Sequence, residues 1–138
     1  MARKWDIYDY LDHRGRNVIE EWIRELQKPE QARLRAKLDL LYANGPDLPS
    51  DLLSDTPSKH IKKIRVNGRV ALRPLLCRGP VDMQGKEYTL LCGATEKDRK
   101  FVPENAIEIA EERRESVIKE PLKRRIKRGT EGTTQKGS

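Results

Sequence analysis

An α+β domain in the order β-α-α-β-β-β-α is what this chain predicts, and three observations predict it. Apolar residues recur at helical spacing in three stretches and at strand spacing in four. Two of the helical stretches adjoin early in the chain, and the last follows the strands. The three later strands succeed one another with no helix between them, which suits an antiparallel meander and excludes a parallel doubly wound sheet.

The elements follow in order. "KWDIYDYLD" (4–12) alternates as a first strand with Trp5, Ile7 and Leu11 on one side, and "HRG" turns the chain. From Asn17 the period changes. Val18, Ile19, Trp22, Ile23 and Leu26 fall on one helical face, and Asn17 with Glu20 forms a capping-box pattern. Pro29 suits the first turn of a second helix, whose stripe of Leu34, Leu38, Leu41 and Tyr42 runs until "NGPDLP" stops it. Residues 47–58, rich in Pro, Ser and Asp, read as a surface loop. Ile61, Ile64 and Val66 mark the next strand, Asn67-Gly68 a two-residue hairpin turn, and "RVALRPLLC" (69–77) the return strand. "EYTLLCGA" (87–94) is apolar enough to lie at the centre of the sheet, and Glu104 to Ile118 forms a last helix with Ala106, Ile107, Ile109 and Ala110 inward. Residues 1–118 are therefore one domain, and 119–138 a basic tail whose composition predicts disorder.

Charge is unevenly distributed. The formal net charge is +7; residues 58–100 hold 11 basic and 4 acidic side chains, whereas 1–57 hold 9 and 11. Residues 119–138 add 7 basic and 2 acidic. A basic patch on an ordered sheet is the electrostatic footprint of a polyanion binder. No stretch has the length and apolarity of a membrane span, and "MARKWDIYDY" lacks the apolar run of a signal peptide, so a cytoplasmic protein is expected. Cys77 and Cys92 offer neither a metal spacing nor a disulfide framework and read as buried, reduced thiols, with Cys77 opposite residue 87 or 88 across a hairpin. "NGP" and "CRGP" lack the spacing of phosphate-binding glycine loops, and no cofactor is implied.

The succession of an N-terminal strand, a helical hairpin, "VALRPLLCRGP", "EYTLLCGATEKDRKFVP" and "AIEIAEERR" resembles the RelE/HigB superfamily of type II toxins, particularly its phage-derived Gp49-like (HigB-like) branch, over about residues 4–118. The resemblance implies a RelE-like fold and a ribosome-dependent mRNA endoribonuclease that inhibits translation. It also implies neutralisation by a helix-turn-helix antitoxin of the HigA type, with operator DNA reached only through the antitoxin complex. Two other readings stand beside it: a ParE-like toxin that inhibits gyrase without catalysis, and a phage-derived nucleic-acid-binding protein.

Attack of a ribose 2′-OH on its own 3′ phosphate needs neither a metal nor a protein nucleophile, because the substrate brings both reacting groups. Cations must stabilise the phosphorane, and one group must take a proton while another returns one. Lysines crowded by other cations have lowered pKa values and suit that work. Lys97, Arg99 and Lys100 lie where the last strand ends, a position exposed by construction. A two-residue turn at Asn67-Gly68 would set Lys62 opposite Arg73, with a bulge forced by Pro74 aiming Arg73 at phosphate. His60 and Lys63 resemble positions used in some HigB-like toxins, the first as a proton carrier and the second as a phosphate ligand. Lys62, Arg65 and Arg78 are further backbone contacts. Phe101 stands where many members carry a tyrosine; it can stack on a base but cannot exchange a proton.

Overall fold

In the computed structural model, which describes residues 4–129, a six-stranded mixed sheet separates two hydrophobic layers. The chain runs through β1 (Asp6–Tyr10), α1 (Val18–Glu25), α2 (Lys28–Asn44), β2 (Leu53–Asp55), β3 (Lys62–Ile64), β4 (Ala71–Leu72), β5 (Leu75–Arg78), β6 (Glu87–Cys92), β7 (Thr95–Lys97), β8 (Lys100–Val102), α3 (Ala106–Lys119) and β9 (Arg125–Lys127). The sheet order is β2-β3-β5-β6-β1-β9, with β1 parallel to β6 and the other pairs antiparallel. β4, β7 and β8 form a second, three-stranded sheet. This α+β architecture agrees with a RelE-like domain.

One face of the large sheet carries Ile7, Ile64, Leu76, Tyr88 and Leu90 against Ile19, Ile23, Leu34, Leu38 and Leu41 of the helical hairpin. The other carries Leu75, Cys77 and Leu91 against Ala106, Ala110 and Val117 of α3. β6 is buried along its whole length, as its composition predicts. Truncating any of the buried leucines of α2 to alanine costs about 3 kcal/mol by loss of transfer free energy and creation of a cavity. Asn17 caps α1 by accepting from the Glu20 amide at 2.8 Å. The reciprocal half of the box is absent, because the Glu20 carboxylate turns to Arg128. Pro29 sits in the first turn of α2, and Gly45 ends it at φ 53°, where an added Cβ would lie 2.3 Å from the Trp5 ring.

Four expectations need correction. The segment 47–58 is not wholly a surface loop, since Leu53 and Ser54 are buried and β2 pairs along the edge of β3. Asn67-Gly68 is not a two-residue hairpin turn. Val66 bridges Leu72, Lys62 lies opposite Leu76 and Lys63 opposite Leu75, so the loop spans residues 67–71 and Arg73 is not the partner of Lys62. At Arg73-Pro74 the chain leaves the small sheet for the large one, where the missing proline donor is tolerated, and the register against β6 shifts just beyond, between Leu75 and Leu76. Cys77 lies opposite Thr89, and burial pushes its thiol up to about 12. Both cysteines are free and buried.

The fourth concerns the C-terminal segment. Within 119–129 the chain is ordered rather than a loose tail, because β9 pairs antiparallel with β1 and the Arg128 amide donates to the Ile7 carbonyl at 2.7 Å. The remaining residues of the expected tail, 130–138, lie outside the described residues.

Candidate nucleic-acid interface

The sequence reads 95–102 as one strand end and a linker, but it folds as the β7–β8 hairpin. The turn is made by Asp98 and Arg99 at φ 53° and 66°. A right-handed twist between strands favours this primed geometry, which glycine and asparagine usually fill. Arg99 adopts it at a cost on the order of 1 kcal/mol. The result is a tight tip with Lys97 directly opposite Lys100 and Arg99 beside them, all exposed. Like charges facing one another across a hairpin repel. Among the described residues none of the three makes an ion pair, and the one carboxylate of the turn itself, Asp98, offsets only part of their charge.

Behind the tip, Glu96 lies opposite Phe101. Its Oε1 accepts from Arg73 Nε at 2.9 Å; Arg73 also donates through Nη1 to the Leu72 carbonyl at 2.8 Å and through Nη2 to Asn67 Oδ1 at 3.1 Å. Arg73 is only 4% exposed and Glu96 24%. The arginine is thus a buried, fully engaged cation tying the 67–71 loop to β7, not a side chain displayed on a strand. Lys63 projects from β3 on the α3 side, its Nζ 5.5 Å from the Phe101 ring centroid.

Lys97, Arg99 and Lys100 therefore share the hairpin tip, while Lys63 and Phe101 meet on the other face of the hairpin, the one on which Glu96 takes Arg73. The other named residues lie apart. Lys62 is drawn to Asp55 across the edge strand, which lowers the Asp55 pKa through hydrogen bonding and then charge. Arg78 covers the Trp5 ring at 5.0 Å, on the helical-hairpin face. His60 is exposed in the turn before β3, and Arg65 lines a groove against α2. Sequence reasoning passed over Glu96 and Asn67 as partners of Arg73. The one signal available was a carboxylate inside the basic stretch "TEKDRK".

Several cations of the described C-terminal segment are paired within the chain. Arg128 Nε donates to Asp9 at 2.8 Å and Nη2 to Glu20 at 2.5 Å. Arg125 Nη1 reaches Glu87 at 2.8 Å while its guanidinium lies 3.7 Å over Tyr8. Lys127 pairs with Asp6 at 3.4 Å, and Arg124 with Glu120 at 3.0 Å. Burial raises the Asp9 pKa, and Arg128, by charge and hydrogen bonding, with Asn17 opposes it. Among the described residues no group of three or more His, Cys, Asp and Glu side chains is placed to hold a metal ion, and no helix is long and apolar enough to cross a membrane.

No curated protein and no solved structure matches the chain. Residues 21–115, from α1 through most of α3 and including every residue of the hairpin neighbourhood, match the family described as phage-derived protein Gp49-like (DUF891). That match spans well over half of the chain, and the protein belongs to this Gp49-like family, which is allied to the RelE/HigB-like toxins.

Proposed function

We propose that this chain is the toxin of a type II toxin–antitoxin pair and acts as a ribosome-dependent, metal-independent mRNA endoribonuclease. The single observation that carries the reading is the hairpin tip, where three cations share one turn with a net positive charge. Lys97, Arg99 and Lys100 are exposed, mutually repelling and without carboxylate partners among the described residues, an arrangement relieved by a phosphate. Family membership supports the toxin class.

In the proposed reaction the 2′ oxygen attacks the adjacent phosphorus, the bond to the 5′ oxygen breaks, and a 2′,3′-cyclic phosphate remains. Lys97, Arg99 and Lys100 neutralise the phosphorane. Lys63 supplies a further cation, and Phe101 a ring on which a base can stack. Arg73 acts from behind, holding Glu96 and hence the hairpin base in place. Phe101 has no proton to give, so proton transfer falls to the cluster amines. His60 serves as a proton carrier from the β3 side, and Lys62, Arg65 and Arg78 as further backbone contacts. A HigA-like helix-turn-helix antitoxin would mask the cluster in the cytoplasm.

Regulated expression with mapping of new mRNA 5′ ends tests this reading. Growth arrest accompanied by new ends within translated messages is the expected result. Arrest with intact transcripts would eliminate the nuclease, and arrest with gyrase-linked DNA breaks would replace it with a gyrase inhibitor.

A further inference from the structure

A further basic concavity lies against the helical hairpin. It is a groove of about 430 Å³ between α2 and the segment leaving β3, lined by Arg33, Lys37, Arg65, Asn67 and Asp51, with Ala36, Pro49 and Leu52 as its apolar wall. Three of its four charged groups are cations. Arg33 and Lys37 stand one helical turn apart, where like charges destabilise a helix by about 0.2–0.5 kcal/mol, and Arg65 faces them from the sheet. Lys37 and Arg65 make no ion pair among the described residues, and Arg33 is fixed by Glu30 at 3.0 Å.

The 67–71 loop closes the groove in a way that accounts for Asn67-Gly68. Gly68 does not adopt the left-handed conformation of a hairpin turn; instead a Cβ there would lie 2.6 Å from Arg33 Nε. Glycine lets the loop backbone lie against the guanidinium. Asn67 accepts from Arg73 through its Oδ1, which leaves the amide NH₂ as a donor at the groove. Asn67 thus belongs both to the groove and to the Arg73–Glu96 support of the hairpin.

We infer that this groove is a second phosphate-binding site, taking the backbone of a single-stranded RNA away from the bond that is cut. This deepens the nuclease reading and rests on it for the identity of the strand. An acidic peptide fits less well. The groove is lined by residues before β2 and after β3 rather than by the edge of β2, so it presents no strand to extend, and Ala36, Pro49 and Leu52 offer no deep pocket for helix anchors. A ribose phosphate needs only what the groove has, namely fixed guanidinium, mobile ammonium and amide donors spread along a trough.

The test uses the full chain and a 2′-O-methyl oligonucleotide, which keeps every phosphate but lacks the nucleophile, so binding is read separately from cleavage. Fluorescence anisotropy is measured across a salt series for the wild type, for Lys37→Gln/Arg65→Gln, and for Ala36→Glu, which sets a carboxylate on an exposed part of the wall. Each single-strand phosphate contact contributes about 0.7 to the salt slope. The double variant should therefore lose about 1.4 of slope and bind on the order of tenfold more weakly near 0.1 M salt. Ala36→Glu should weaken binding comparably, and both variants should melt close to the wild type. Unchanged affinity and slope in folded variants would overturn the groove while leaving the hairpin reading intact. A hexaglutamate peptide whose binding fails in the double variant, with RNA binding unchanged, would reassign the groove to an acidic protein and also overturn the inference. Absence of RNA binding by the wild type would overturn the groove, while the nuclease reading, which places cleavage on the ribosome, is decided by the mapping of mRNA 5′ ends.

Discussion

The hairpin tip at residues 97–100 and the C-terminal strand at 124–128 look alike as sequence, "KDRK" and "RRIKR", and differ in what their charges do. In β9 and its flanks every cation has a carboxylate: Arg124 with Glu120, Arg125 with Glu87, Lys127 with Asp6, and Arg128 with Asp9 and Glu20. Three of those carboxylates come from the acidic N-terminal third. In the hairpin three cations share one turn with no carboxylate paired to any of them among the described residues. Local charge density therefore does not measure the charge available to a ligand. What counts is whether the fold brings opposite charge to the same place, and here it does so for the C-terminal strand alone.

The comparison can be broken first at Arg128. Arg128→Ala leaves Asp9 buried beside Asn17 without its cation and should destabilise by about 3–5 kcal/mol in urea unfolding near neutral pH. Alanine at Lys97, Arg99 and Lys100 together should cost no more than about 0.5 kcal/mol per site, as exposed positions do. Equal costs in the two regions would erase the distinction. Arg73→Ala should fall between, at about 2–3 kcal/mol, because it strands Glu96 and Asn67 but leaves Glu96 partly hydrated. It should also weaken cleavage, and an unchanged stability would show that the buried pair does not support the hairpin.

A pH series sharpens the same point. Burial raises the folded-state pKa of Asp9, so its contribution is fully present below the unfolded value and is lost as pH rises through the folded one. Removing Arg128 removes the main influence lowering that pKa, so the folded variant takes up its proton at higher pH than the wild type. The deficit of Arg128→Ala should therefore shrink by about 1 kcal/mol between roughly pH 7 and pH 5. A pH-independent deficit would mean that Glu20, not Asp9, is the important partner. The smallest effect is at the turn. Arg99→Gly relieves the left-handed backbone and should raise stability by about 0.5–1 kcal/mol while lowering cleavage, separating the stability of the hairpin from its charge.

The helices, the central β6 and the meander order were legible because burial imposes periodicity. Leu34, Leu38, Leu41 and Tyr42 are all buried as their spacing implies. The β7–β8 hairpin was not legible, since its turn uses Asp98-Arg99 in a conformation that sequence rules reserve for glycine and asparagine. Asn67-Gly68 misled in the opposite direction, its glycine serving the approach of Arg33 rather than a two-residue turn. β9 escaped notice because it is held by ion pairs to Asp9 and Glu87, 119 and 38 residues away in sequence, which no local pattern reveals. Within the candidate site the cationic cluster could be read from composition. The burial of Arg73 against Glu96 could not, because it depends on the strand passing from one sheet to the other.

Single-turnover cleavage of mRNA on programmed ribosomes, at saturating ribosome concentration, tests the central claim most directly. The wild type is compared with Lys97→Ala/Arg99→Ala/Lys100→Ala and with Lys123→Ala, which removes an exposed cation from the C-terminal segment. The hairpin variant should remain folded and cleave at least about a hundredfold more slowly, a loss typical of removing preorganised charge stabilisation, while Lys123→Ala cleaves at the wild-type rate. A folded hairpin variant that cleaves as fast as the wild type would contradict the assignment of the chemistry to the β7–β8 tip.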